Sequence, residues 1–200
     1  MKNYAESIAN LYLRLNGFFL LNNYISHKCE SKKAKQHFDS DIIGVKPKYV
    51  TEIVGLQNAK SDMHHKLYEL IEGIELVGVI CEVKGGMSSK WKLTNNSLMP
   101  CVKRLGLFDP EKTKPEDIVD TLKKNRIYKS EDNKRMIIKL VASDEVDKER
   151  TKSWNHISLS EMLDFIVERL DEYIDKRQSW HFNDSELFQF IIFQNRKKNL

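Results

Sequence analysis

Apolar residues recur at Ala5, Ile8, Ala9, Tyr12 and Leu15, the spacing of one helix face, and Asn16-Gly17 closes the pattern as a C-terminal stop. The spacing predicts a first helix from Tyr4 to Leu15. The run "GFFLLNNYIS" reads as a strand bent by the Asn22-Asn23 pair, and the basic, polar stretch from His27 to His37 reads as a loop. "FDSDIIGVKP" alternates, carries β-branched residues and ends at a proline, which predicts a second strand from Phe38 to Lys46. Signals are mixed from Pro47 to Glu75: Tyr49 to Leu56 suits a strand and Met63 to Ile71 a short helix. Leu76 to Val83 is the clearest strand, a nearly unbroken apolar run stopped by Gly85-Gly86.

Ser97 to Leu105 predicts a helix, and Pro115 followed by Glu116 and Asp117 opens another that runs to about Asn125. "RMIIKLVAS", Arg135 to Ser143, is again strand-like, and the charged run "SDEVDKER" after it reads as a solvated loop or linker. Near the end, Ser160 can cap a helix with Met162, Phe165, Ile166, Arg169, Leu170 and Tyr173 on one side. Asp184 can cap a second holding Leu187, Phe190 and Ile191. The expectation is an α/β protein with a core over residues 1–145 and a C-terminal helical hairpin over 146–200 that packs on the sheet.

A chain of 200 residues that is 40% hydrophobic buries one sizeable core with a small appendage. Its 33 basic and 29 acidic residues leave a net charge of +4, which permits a polyanionic partner without demanding one. Cys29, Cys81 and Cys101 are odd in number and widely spaced, with no paired motif for zinc or a disulfide framework. Reduced, cytoplasmic surroundings are expected. No apolar run has the length of a signal peptide or a membrane span, so a membrane partner is not expected.

The chemistry gathers where the clearest strand ends. A strand buried on both faces should not finish in Glu82-Val83-Lys84 unless those charges have work to do. If Phe38 to Lys46 runs antiparallel to Leu76 to Val83, Asp41 falls close to Glu82 and Lys84. By alternation Glu82 and Lys84 share a face, with Cys81 and Val83 on the other. Two carboxylates at a sheet edge repel unless a cation lies between them, and oxygen ligands from Asp41, Glu82 and the Val83 carbonyl suit Mg²⁺ or Mn²⁺. An ammonium beside a metal-bound water favours phosphodiester hydrolysis.

"DSDIIGV" followed by "GVICEVKGG", with the helical "AESIANLYLRLNGFFLL" in front, resembles the PD-(D/E)XK nuclease superfamily, which has the restriction-endonuclease-like fold. The resemblance covers roughly residues 4 to 143 in element order and implies an αβββαβ core with a mixed sheet. It implies that Asp41 and Glu82 are the metal-binding acids, that Lys84 is the catalytic lysine, and that Glu6 is the extra acid some branches bring from the first helix. Ser40 stands where many members have proline. The interval from Asp41 to Glu82 exceeds a bare hairpin, so about 47–75 reads as an insertion. The implied activity is metal-dependent endonuclease cleavage, of DNA in preference to RNA, and a homodimer through the C-terminal helices would serve a double-strand cut.

Several residues carry a plainer reading beside the functional one. The motif acid-x-Lys recurs in polar sequence at Glu30-x-Lys32 and Asp132-x-Lys134, and Glu82 with Lys84 could be a structural ion pair. Glu6 could simply favour the helix dipole. Asp39 lies two residues before Asp41 and so on the same face, where it could support the metal-binding acids or be a solvated strand-end acid, and Lys90 and Trp91 after the glycines could meet a phosphate and a nucleotide, although Trp91 is equally suited to a core. His64 and His65 diverge by about 100° on a helix, so they do not serve one metal and are expected to be exposed. Lys28, Lys32, Lys33, Lys35 and the tail Arg196-Lys197-Lys198 could hold a phosphate backbone or be soluble surface. Two alternatives to the enzyme remain: an inactive nuclease-like fold acting as a nucleic-acid-binding or assembly module, and a DNA-binding protein that relies on its lysines.

Overall fold

Ala5, Ile8, Ala9, Tyr12 and Leu13 are buried along one side of α1 (Tyr4–Leu15), and Gly17, at a φ of +85°, turns the chain out of the helix. The computed structural model describes residues 4–28, 36–51, 53–54, 57–58, 63–86, 93, 95–144 and 151–174. After the turn come β1 (Phe19–Lys28) and β2 (Gln36–Pro47), which pair antiparallel from Phe19 opposite Val45 to Lys28 opposite Gln36. The expected loop is therefore shorter than His27 to His37, because both strands extend into it.

Between Pro47 and Glu75 the chain forms a two-residue hairpin, β3 (Ile53–Val54) with β4 (Gln57–Asn58), and then α2 (His65–Ile71). Of the strand expected over Tyr49 to Leu56, the described residues show only Ile53–Val54 in a ladder. The Lys48 N–H donates to the Glu75 carbonyl at 2.8 Å, so this excursion closes at its base and β2 meets β5 (Leu76–Lys84) as if the two were adjacent. That pairing is antiparallel, as expected.

From β5 the chain crosses through α3 (Leu98–Leu105) and α4 (Pro115–Lys124) to β6 (Ile127–Lys129) and β7 (Arg135–Ser143). β7 lies parallel to β5, β6 pairs antiparallel with the first half of β7, and β8 (Asn155–Ile157) pairs parallel with its last residues. The two short strands were not expected, since three residues carry too little pattern to signal one. The result is a mixed six-stranded sheet in the order β1-β2-β5-β7-β6, with β8 also on β7.

Alternation along the central strands divides the core. Ile42, Val77, Val79, Cys81 and Val83 pack with α1 and with α5 (Leu159–Ile174), whereas Ile43, Ile80 and Ile137 pack with α3 and α4. α5 packs against α1 and starts two residues earlier than expected. Ser158 is its cap, not Ser160: the Glu161 N–H donates to Ser158 Oγ, and Glu161 Oε2 accepts the Ser158 N–H. β8 and α5 thus complete the sheet and the core from residues expected to form an extension. The expected second C-terminal helix lies outside the described residues. No helix among the described residues is long and apolar enough to cross a membrane.

Candidate active site

The β2–β5 ladder runs from Pro47 opposite Leu76 to Ile42 opposite Cys81 and ends there. One step further, the Val83 N–H donates to Asp41 Oδ2 at 2.6 Å. A carboxylate takes the place of the strand carbonyl that would otherwise continue the ladder. The side-chain alternation of β2 breaks at the same point, because Ile42 packs on the α1 side while Ser40 lies beside Cys101 of α3 on the other. β1 matches the break. Asn23, with a φ of +50°, lies between the pairs Asn22–Ile42 and Tyr24–Ser40, across from Asp41. Asparagine tolerates that left-handed conformation better than most residues. The Asn22-Asn23 bend expected from sequence is thus the kink that accompanies the divergence of β2 from β5.

Glu82 and Lys84 share the face of β5 that looks toward α3 and α4, as Ile80 does. Lys84 Nζ lies 2.8 Å from Glu82 Oε2 and 3.6 Å from Asp41 Oδ2, so one ammonium spans both carboxylates. Burial pushes the Glu82 carboxyl above its ordinary range, against the charge and hydrogen bond of Lys84. For Lys84 burial acts downward, but Glu82 and Asp41 outweigh it and hold the ammonium above its ordinary value. Two carboxylates on one ammonium leave an excess of negative charge at a poorly hydrated place, which favours a further cation.

The donors fit a hard divalent ion. In an extended strand a residue's N–H and C=O face the same neighbour, so the Val83 carbonyl, like its N–H, is directed toward β2 and Asp41. Asp41, Glu82 and this carbonyl make an all-oxygen set of the kind Mg²⁺ or Mn²⁺ takes, with water completing the shell. Glu6 is placed elsewhere: it stands in the first turn of α1, a helix packed on the opposite face of the sheet. Among the described residues no three His, Cys, Asp or Glu side chains gather to hold a metal, so Glu6 does not join Asp41 and Glu82 in such a cluster. Asp39 is exposed and near enough for its charge to raise Glu82 further. Lys90, Trp91, Lys32, Lys33, Lys35 and the basic tail lie outside the described residues.

His64 departs from expectation. It is buried, not exposed; its Nδ1 lies 2.6 Å from the Tyr12 hydroxyl, and its N–H donates to Asn16 Oδ1. Burial lowers its pKa, which fits a neutral ring tying α2 to α1. His65 is exposed.

Two residues beside the site were missed. Ser143 pairs in register with Lys84 across β5 and β7, and His156 of β8 lies 3.1 Å from Ser143. The sequence signal for them was indirect: the capping box Ser158-x-x-Glu161 marks a helix start and so a strand end just before it. Compared with models of known families, with curated proteins and with solved structures, this chain matches none.

Proposed function

We propose that the protein is a metal-dependent phosphodiester hydrolase of the PD-(D/E)XK type, acting on nucleic acid and on DNA in preference to RNA. One observation carries the reading: the β2–β5 ladder ends with Asp41 on the Val83 N–H, and Lys84 bridges Asp41 and Glu82 at that end. The element order supports it. α1, the antiparallel β1-β2-β5 meander, the α3–α4 crossover and parallel β7 follow the helix, three strands, helix and strand that the resemblance implies.

Asp41, Glu82 and the Val83 carbonyl would hold Mg²⁺ or Mn²⁺, which when bound activates water and polarises a phosphoryl oxygen. Asp41 is oriented for this by the Val83 N–H, and Glu82 by Lys84. Lys84 has the larger part to play, since its ammonium donates to a carboxylate now and can donate to an attacking water or a phosphate oxygen when substrate is present. Its charge offsets the charge that builds on phosphorus-bound oxygens during attack. Glu82 is buried, which limits competing water at that carboxylate.

One observation favours the rival reading of an inactive binding or assembly module: Lys84 already compensates part of the carboxylate charge without any further cation. A cleavage panel separates the two. Supercoiled plasmid, single-stranded and branched DNA, and RNA are incubated with Mg²⁺ or Mn²⁺ and wild type, Glu82→Ala or Lys84→Ala. Metal-dependent cutting lost in both variants is expected. No cutting, together with no thermal stabilisation by either metal, would replace the enzyme with the module.

A further inference from the structure

The site extends along the sheet beyond the carboxylates. Glu82 is in register with Val141, and Val141 with His156; Lys84 is in register with Ser143. Residues paired in register share a face, so Lys84, Ser143 and His156 follow one another on the side occupied by Glu82. Trp154, two residues before His156, confirms the face, because its ring lies 5.0 Å from the Nζ of Lys139, which is two positions from Val141.

His156 is held in one orientation. Its Nε2 lies 3.1 Å from the Ser143 carbonyl oxygen and 3.1 Å from Ser143 Oγ. A carbonyl only accepts, so Nε2 carries a hydrogen; Nδ1 is the ring nitrogen left to meet a ligand, and it donates to an anion when the ring carries both hydrogens. Ser143 is fully buried, while His156 stays partly exposed over it. The ring is therefore fixed before any ligand arrives, which spares the entropy of ordering it.

A polyanion approaching Asp41 and Glu82 meets repulsion, and the nearest ammonium, Lys84, is engaged with those same acids. Other donors must receive the chain on either side of the reacting bond. Two strand spacings, about 10 Å, separate the Glu82 and His156 positions, so a phosphodiester chain lying across this face at Glu82 comes within reach of His156 at a further phosphate.

We propose that His156, with Ser143 as its positioning residue, binds a phosphate of the nucleic-acid backbone adjacent to the one that is cut. The inference rests on the reading of the site as one that meets a phosphodiester chain, and it adds a substrate contact on β8 that no motif supplies.

Fluorescence anisotropy with labelled single- and double-stranded oligonucleotides in a chelator tests it without cleavage. His156→Ala is expected to weaken binding about 5- to 10-fold across sequences. Ser143→Ala should weaken it less, His156→Arg should restore most of it, and His65→Ala should change nothing. Unchanged affinity in His156→Ala overturns the inference. So does a loss that follows the thermal midpoint and is not restored by arginine, or a wild type that binds no oligonucleotide. Cutting by wild type that is indifferent to His156→Ala also overturns it and leaves the nuclease reading standing. His156-dependent binding by a protein that never cuts supports the contact and removes the enzyme.

Discussion

Lys84→Met removes the ammonium between two acids while keeping the length and apolar stem of the side chain. Lys84, Glu82 and Asp41 have side chains 20%, 11% and 23% exposed, so the carboxylates left behind are poorly hydrated. Removing one partner of a fully buried pair costs about 3–5 kcal/mol, and the residual exposure here lowers that to about 2–3 kcal/mol near neutral pH. For a chain of this size the loss is about 5–10 °C in Tm. The sign with pH follows from Glu82. Its folded pKa is already raised by burial, and without Lys84 it rises further. A raised acid contributes stability below its unfolded value that is lost as pH rises through the folded one. The deficit of Lys84→Met is therefore smaller near pH 5 than near pH 8. Urea unfolding followed by circular dichroism at both pH values measures it, and Mg²⁺ should recover more Tm in the variant than in wild type. A deficit equal at both pH values, or larger near pH 5, would refute the reasoning.

Lys139 is fully buried in β7, its Nζ has no hydrogen-bond partner, and burial brings its pKa down to about 8. A depressed lysine costs stability as pH falls through that value, so Lys139→Met should stabilise by about 2–3 kcal/mol near pH 7 and by little near pH 10. Denaturant midpoints at the two pH values check this, and an unchanged or lower midpoint near pH 7 would count against it. Tyr12→Phe leaves buried His64 Nδ1 without the hydroxyl now 2.6 Å away and should cost about 1–3 kcal/mol. A midpoint equal to wild type would show that the bond contributes nothing net.

The carboxylates and lysine were legible because a buried strand gives its charges no solvent to face. "GVICEVKGG" advertises the conflict at Glu82 and Lys84, and antiparallel pairing of "FDSDIIGV" with it brings Asp41 to the same end. The bend at Asn22-Asn23 was readable too, but not its placement across from Asp41, because that depends on the β1–β2 register. His64 and His65 look alike in sequence; only the meeting of α2 with Tyr12 and Asn16 buries one of them. Ser143 and His156 stayed hidden for a similar reason. Their relation to Lys84 arises from the parallel pairing of strands separated by two helices, and local pattern carries no information about that register. Ser158 differs, since its capping box with Glu161 stands in plain view two residues before Ser160.

The kink at Asn23 has an effect far from phosphate chemistry. Among the described residues β1 pairs only with β2, so its outer edge offers ten residues of backbone, with Phe19, Leu21 and Ile25 exposed on the strand. A flat edge of that length is a template on which another copy's strand can add. One left-handed residue near its middle divides the template into two short segments, each a poor seed for continuous cross-chain pairing. The irregularity across from Asp41 therefore also serves as a guard against self-assembly.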